Sequence, residues 1–303
     1  MHTFDNVAVL GTGTLGSQII MQAAYAGKQV AAYDISDDTL NKLPARWEWM
    51  RAFYRRDVEG FTDEKFDAAI ARIAPTTDLN VAAEHADIVI EAVPENIDLK
   101  QKVYKELSGI VADDCILATN SSYLLPSEIA PAVARPERFG TLHFANKVWK
   151  GNTGEIMGCD ATAPETLDAI EEFATQINLR PFRVLKETRG YILNAQLVPL
   201  LKTALTLYAN GAASFEDIND SFKVALQYQT GLIEVADAVG FSLLSVAWAD
   251  EPDPKLREWI EAAAAAVKQG KGGLGDGEGF YVYDEEGNTV GKGTTFPDVW
   301  GAE

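Results

Sequence analysis

The chain of 303 residues is 47% hydrophobic and 23% charged, the balance of a soluble globular protein, which excludes a disordered tail or a fibre. Its length predicts about two domains. A formal net charge of −19 repels phosphate backbones and anionic lipid, arguing against nucleic acid and membrane as partners.

In chain order, Asn6–Leu10, Gln29–Tyr33, Asp87–Val93, Cys115–Thr119, Gly140–Phe144 and Phe182–Leu185 are short runs, most of them rich in Val, Ile and Leu. Several lack polar alternation, the pattern of strands buried on both faces in a parallel sheet. Between them, Leu15–Ala26, Leu99–Ile110 and Ala163–Ile177 have helical length, so strand and helix alternate as in a doubly wound α/β sheet. Beyond Glu187, Tyr191–Ala209, Ser214–Ala225, Leu232–Val239 and Pro254–Lys268 read as helices with no strand between them, with Ser214 as N-cap ahead of Asp217. The expected architecture is a Rossmann-type, doubly wound parallel sheet over 1–187 followed by an all-helical domain over 188–303. Tyr191–Ala209 is too apolar for a solvated helix and predicts burial against a second copy in a symmetric homodimer.

Cys115 and Cys159 stand singly, and no His/Cys cluster has metal spacing, so neither a disulfide framework nor a metal is expected. The opening MHTFDNVAVL has neither a secretory leader nor an Arg-rich amphipathic segment, and no run of about 18 apolar residues follows; a cytoplasmic protein is expected.

The segment VAVLGTGTLGSQI places Gly11, Gly13 and Gly16 directly after the first strand and at the start of a helix. Gly11 permits a tight turn, Gly13 lets the backbone approach a pyrophosphate, and Gly16 lets helix and strand pack closely. The N–H groups of the helix start, around Thr14 and Leu15, would face the phosphates with the positive end of the helix dipole. Asp34 ends the next strand, 18 residues after the last glycine, where it would accept hydrogen bonds from the adenosine ribose diol. Its carboxylate would repel a 2′-phosphate, and Ile35, Ser36, Asp37 and Asp38 provide no cation to attract one; NAD is preferred over NADP.

Of the three histidines, His2 is terminal and His85 lies in a polar stretch, so both are expected to be solvated. His143 ends the short strand GTLHF, at the strand end where open α/β sheets place ligands, and Glu155 follows twelve residues on. A His–Glu pair is a plausible general base with its orienting partner, but from spacing alone a core histidine with an unrelated glutamate is the better reading. Arg46, Arg51, Arg55 and Arg56 crowd eleven residues opposed there only by Glu48. That cluster suggests an anionic ligand, or else the solvated face of a helix packing Trp47, Met50 and Tyr54 inward.

The runs IVIEAVPENIDLKQKVYKEL, ILATNSSYLLPSEIA, RPERFGTLHFANKV, GYILNAQLVPLL, ANGAASFEDINDSFKVAL, GLIEVADAVG and EGFYVYD resemble, segment after segment, the short-chain L-3-hydroxyacyl-CoA dehydrogenase family. The resemblance covers nearly the whole chain. It implies an NAD-binding α/β domain, a helical dimerisation domain, and oxidation of the 3-hydroxyl of a CoA thioester. Carried over residue by residue, it implies His143 as catalytic base, Glu155 as its partner, Ser122, Asn146 and Asn194 as further catalytic positions, and Glu95 and Lys100 as nicotinamide-side contacts. A helical hairpin in the arginine-rich region would touch the CoA.

Some segments depart from the family. Its HFFNPV becomes His143-Phe144-Ala145-Asn146-Lys147-Val148, the loop continues WKGNTGE, LQYQTGLIEVAD replaces YPMGPFEL, and a C-terminal lysine falls on Gly275. These departures leave two alternatives open. One is a dehydrogenase of a free 3-hydroxy acid of carnitine or gulonate type; the other is a non-catalytic NAD(H)-binding protein, against which the retention of Ser122, His143, Asn146 and Glu155 argues.

Overall fold

A computed structural model describes residues 3–284 and 286–301; His2 lies outside the described residues. They separate into two compact units, Met1–Ala195 and Gln196–Glu303, each with its own core.

In the first unit the apolar runs become strands β1 (Asn6–Leu10), β2 (Gln29–Tyr33), β3 (Ile73–Thr76), β4 (Ile88–Glu91), β5 (Ile116–Thr119), β6 (Phe139–Phe144), β7 (Thr153–Met157) and β8 (Arg180–Val184). Among the described residues they form one eight-stranded sheet in the order β3-β2-β1-β4-β5-β6-β7-β8. From β3 to β6 every pairing is parallel. The order reverses between β1 and β4, and at such a switch point a ligand crevice opens outside the strands' carboxyl ends. Every residue of β4, β5 and β6 is buried, because helices cover both faces, and this is why those strands are unbroken apolar runs.

Two differences from the expected parallel sheet matter. Strand β7 runs antiparallel to β6 and β8 runs parallel to β7, so the last two strands oppose the rest. Strand β3 carries Pro75, which lacks the N–H a central strand needs; the sheet tolerates it because β3 is an edge.

The crossovers are α1 (Thr14–Tyr25), α2 (Asp37–Leu40), α3 (Leu43–Asp57), α4 (Asp63–Ile70), α5 (Leu79–Ala83), α6 (Ile97–Leu107), α7 (Pro126–Ile129) and α8 (Pro164–Gln176). Side chains mark several starts: Thr62 caps α4, Asp78 caps α5, and Asn96 caps α6 through a 2.9 Å bond from Leu99 N–H. By contrast α1 has no side-chain cap and no acidic residue in its first turn, so its N–H groups stay available. One face of the sheet packs Ile19, Trp47, Tyr54 and Phe173; the other packs Tyr104, Leu107, Ile129 and Phe139.

Helix α9 (Leu193–Ala209) crosses the division between the units, and α10 (Phe215–Leu226), α11 (Leu232–Val239), α12 (Phe241–Ala247) and α13 (Pro254–Lys268) follow. Ser214 caps α10 by accepting from Asp217 N–H at 3.0 Å. The second unit is not all helix. Strands β9 (Tyr281–Tyr283) and β10 (Thr289–Lys292) form an antiparallel hairpin, too short to stand out as a pattern in sequence. Buried Asp237 on α11 holds it by accepting from Phe280 N–H, Tyr281 N–H and the Tyr283 hydroxyl at 2.8 to 3.0 Å. Burial pushes the Asp237 carboxyl up to about 6 against those bonds. Among the described residues no helix is long and apolar enough to cross a membrane, and no cluster of three His, Cys, Asp or Glu side chains could hold a metal ion.

Candidate active site

The antiparallel pairing of β6 with β7 sets His143 directly opposite Glu155. Both are buried, 3% and 2% exposed, and Nδ1 of the imidazole lies 2.9 Å from Glu155 Oε2. An ionised carboxylate only accepts, so the proton sits on Nδ1 and the lone pair of neutral His143 is on Nε2. Ser122 Oγ is 3.1 Å from that nitrogen. The other carboxylate oxygen accepts from Ile192 N–H at 2.9 Å and Leu193 N–H at 2.8 Å, at the start of α9. Burial alone would raise the Glu155 carboxyl, but the imidazole and those two amides outweigh it and hold its pKa below the ordinary range.

A residue that sequence spacing did not single out completes the arrangement. The Tyr191 ring stacks on the imidazole at 4.5 Å between centroids and 2° between planes. Its hydroxyl donates to the Ser121 carbonyl at 2.7 Å, and its backbone takes a left-handed φ of 55° straight after Gly190 at 78°. Two successive left-handed residues are a turn that no hydrophobic period reveals; the glycine in TRGY was the available signal.

Asn146 does not bond the imidazole. Its Oδ1 accepts from Gln18 Nε2 at 2.8 Å, while Gln18 Oε1 accepts from Lys147 N–H and Val148 N–H, tying the loop after β6 to α1. Asn194, in the first turn of α9, is half-buried and bonds none of these groups through its side chain. Lys100 is buried and committed to Glu91, 2.6 Å away, and to the Val93 carbonyl, with Glu95 at 3.5 Å. Glu95 accepts from Ser121 Oγ and from Tyr123 N–H and Leu124 N–H, which with Lys100 outweigh burial and lower its pKa. His85 is exposed beside Glu84.

The arginine cluster is largely neutralised. Arg51 pairs with Glu48, Asp63 and Asp67, Arg55 with Asp63, and Arg56 with Asp57, all but Glu48 and Asp57 coming from α4. Trp47, Met50 and Tyr54 are buried as the amphipathic reading expects.

Residues 6–188 match the NAD-binding domain model of 3-hydroxyacyl-CoA dehydrogenase, and residues 190–283 match its C-terminal domain. The chain belongs to the 3-hydroxyacyl-CoA dehydrogenase family. Human mitochondrial hydroxyacyl-coenzyme A dehydrogenase is 31% identical, covering 92% of this chain and 91% of its own. The (S)-3-hydroxybutyryl-CoA dehydrogenase of Ralstonia eutropha superposes with a TM-score of 0.76 at 30% identity, over 93% of this chain and all of that one. A diketoreductase studied for dual catalysis of dicarbonyl compounds superposes with 0.84 at 41% identity, over the same shares. The protein is thus an NAD-dependent oxidoreductase of this dehydrogenase family.

The residues present fit that cofactor. Gly11 holds φ at 96°, and a Cβ there would crowd the Ala92 carbonyl; a Cβ on Gly16 would overlap the Gly11 carbonyl oxygen. At Gly13 the space is open, as a turn that a pyrophosphate approaches requires. Thr14 and Leu15 open α1 with free N–H groups. Asp34 follows β2, its Oδ2 accepting from Thr12 N–H at 3.0 Å and Thr12 Oγ1 at 2.9 Å.

Proposed function

We propose that this dehydrogenase transfers a hydride reversibly between NAD and the 3-hydroxyl of an L-3-hydroxyacyl-CoA such as 3-hydroxybutyryl-CoA, with His143 as general base. The observation that carries the reading is the imidazole fixed by Glu155 on Nδ1 and offering Nε2 beside Ser122 Oγ. In the oxidation direction the hydroxyl proton passes to Nε2 while the C3–H bond breaks, its electron pair leaving with the hydrogen as hydride. When bound, NAD supplies the hydride acceptor. Glu155 then faces an imidazolium, and its own charge is held by the two amides of α9, so the proton is taken without leaving a bare buried cation. Ser122 aligns the substrate oxygen, and Asn146 and Asn194 keep side-chain N–H donors for the substrate carbonyl. In this reading residues 1–187 form the NAD-binding domain and 188–303 the helical C-terminal domain.

A second substrate class has specific support. The acids of α4 and Asp57 engage Arg51, Arg55 and Arg56, removing the cations that would favour CoA phosphates. Lys147, in place of the proline of the HFFNPV pattern, is half-buried and has no ion-pair partner among the described residues. Together with the likeness to a diketoreductase, this favours a compact dicarbonyl or free 3-hydroxy acid over a thioester. NADH consumption with acetoacetyl-CoA beside acetoacetate, 3-dehydrocarnitine and ethyl acetoacetate decides between them. Turnover of the thioester at least tenfold more efficient than of the small compounds supports the first reading, and the reverse order the second.

The expected homodimer has support in exposed Leu200 and Leu207 of α9, Val224 and Leu226 of α10, and Leu243 and Val246 of α12. Light scattering should report about twice 33.0 kDa at micromolar concentration. Free Cys115 and Cys159 suit a reducing compartment such as the cytoplasm.

A further inference from the structure

Of the four clustered arginines, Arg46 behaves differently from the rest. Three are held by carboxylates, whereas Arg46 has no ion-pair partner among the described residues and its Nη1 donates to the backbone carbonyl of Thr12. It stands near the start of α3, and the neighbouring Trp47 and Met50 are buried in the core, which anchors the helix from which it reaches a residue 34 positions earlier. Thr12 lies between the first two glycines of the turn, and its N–H and hydroxyl both donate to Asp34. One residue of the glycine turn therefore touches a carboxylate through its donors and a guanidinium through its acceptor.

Such a cation was not expected from Ile35–Asp38, the stretch that directly follows the acidic residue; the fold delivers it from the next long helix. A carboxylate at the end of β2 selects the ribose diol, whereas a guanidinium nearby accommodates a 2′-phosphate. The guanidinium has five N–H donors in a planar fork suited to phosphate, and the Thr12 carbonyl occupies only part of it.

We propose that Arg46 is a cofactor-binding residue at the adenosine end of the site. Asp34 alone then holds the enzyme to NAD, and once its charge is removed Arg46 grips the 2′-phosphate of NADP. The two side chains act in opposite directions on one group of the ligand, so their effects are readable as a cycle.

The test is direct binding, followed by nicotinamide fluorescence, of NADH and NADPH to the full-length wild type, Asp34→Ser, Arg46→Gln and the double variant. Serine keeps an acceptor for Thr12. Asp34→Ser should tighten NADPH at least tenfold, and adding Arg46→Gln should remove at least tenfold of that affinity, a larger factor than its effect on NADH. Competition by 2′,5′-ADP, which carries the phosphate without nicotinamide, should follow NADPH, and Asp34→Ser/Arg46→Lys should keep part of the gain. Thermal melting of each variant confirms that it is folded. The proposal is overturned if Asp34→Ser gains no affinity for NADPH, or if the double variant binds NADPH and 2′,5′-ADP as tightly as Asp34→Ser does.

Discussion

Glu155 and Glu91 are both carboxylates buried in the same sheet beside a basic side chain, and their pKa values are moved in opposite directions. At Glu91, the last residue of β4, burial is nearly complete and pushes the carboxyl up, although Lys100, the Thr119 hydroxyl and Val93 N–H pull the other way. At Glu155 the imidazole and two amides at the start of α9 win, and the pKa is lowered. What differs is where the partner's remaining valence points. Lys100 is closed on all sides by Glu91, the Val93 carbonyl and Glu95, whereas His143 keeps Nε2 beside a hydroxyl that a substrate oxygen can join. A buried pair with one open atom can move a proton; a buried pair without one can only hold the fold.

The largest effect should separate the pairs outright. His143→Gln should lower kcat by roughly 10²–10⁴-fold while NADH binding, which rests on the glycine turn and Asp34, stays intact. Glu155→Gln should lower kcat as well and depress the pKa seen in the pH–rate profile, because it removes the anion that favours imidazolium. Single-turnover rates for both variants and their combination should be non-additive. Strictly multiplicative losses would break the pairing of the two roles.

For the closed pair the readout is stability. Lys100→Met leaves Glu91 buried without its cation and should cost about 3–5 kcal/mol in denaturant unfolding, and Lys100→Met/Glu91→Met should recover much of it. If the double replacement were no more stable than the single one, the pair would not be the self-contained unit described here.

A third buried carboxylate sharpens the contrast. Among the described residues Asp237 is hydrogen-bonded by two amides and a phenol, and burial raises it to about 6. A proton bound more tightly in the folded state contributes stability that is fully present below the ordinary carboxylate pKa and lost as pH rises through about 6. That loss is on the order of 2–3 kcal/mol at about 1.4 kcal/mol per pKa unit. Melting of wild type against Asp237→Asn from pH 4 to 7 should show the difference, with the slope absent in the variant.

The smallest effect concerns the stacked ring. Tyr191→Leu should lower kcat about tenfold and shift the pH–rate profile to lower pH, since the ring face favours the imidazolium by about 1–2 kcal/mol. Tyr191→Phe keeps the stack and should restore both, with the NADH dissociation constant unchanged throughout.

Where one interaction dominated, the sequence was readable. β1 and β2 are found at their predicted limits, since an unbroken apolar run between turns has few other uses, and the glycines announce themselves by the backbone they permit. β3 escaped because Pro75 contradicts a strand anywhere but at an edge, and edges are a property of the assembled sheet. His143 and Glu155 were legible as residues, whereas the roles of Tyr191, Gln18 and Arg46 come from contacts spanning 34 to 130 positions.

The antiparallel turn from β6 to β7 has a bearing on how this enzyme could change its substrate. Since His143 and Glu155 meet by register across two buried strands, residues 145–152 are a bridge whose only duty to the dyad is to return the chain in the same frame. Asn146, tied to Gln18, and the buried Val148 and Trp149 are fixed by their own contacts, but the remaining side chains of the bridge can be exchanged while the proton-handling pair stays fixed. Exchanging Lys147 and residues 150–152 between relatives, with Asn146, Val148 and Trp149 kept, is therefore a direct way to move a substrate preference from one to another.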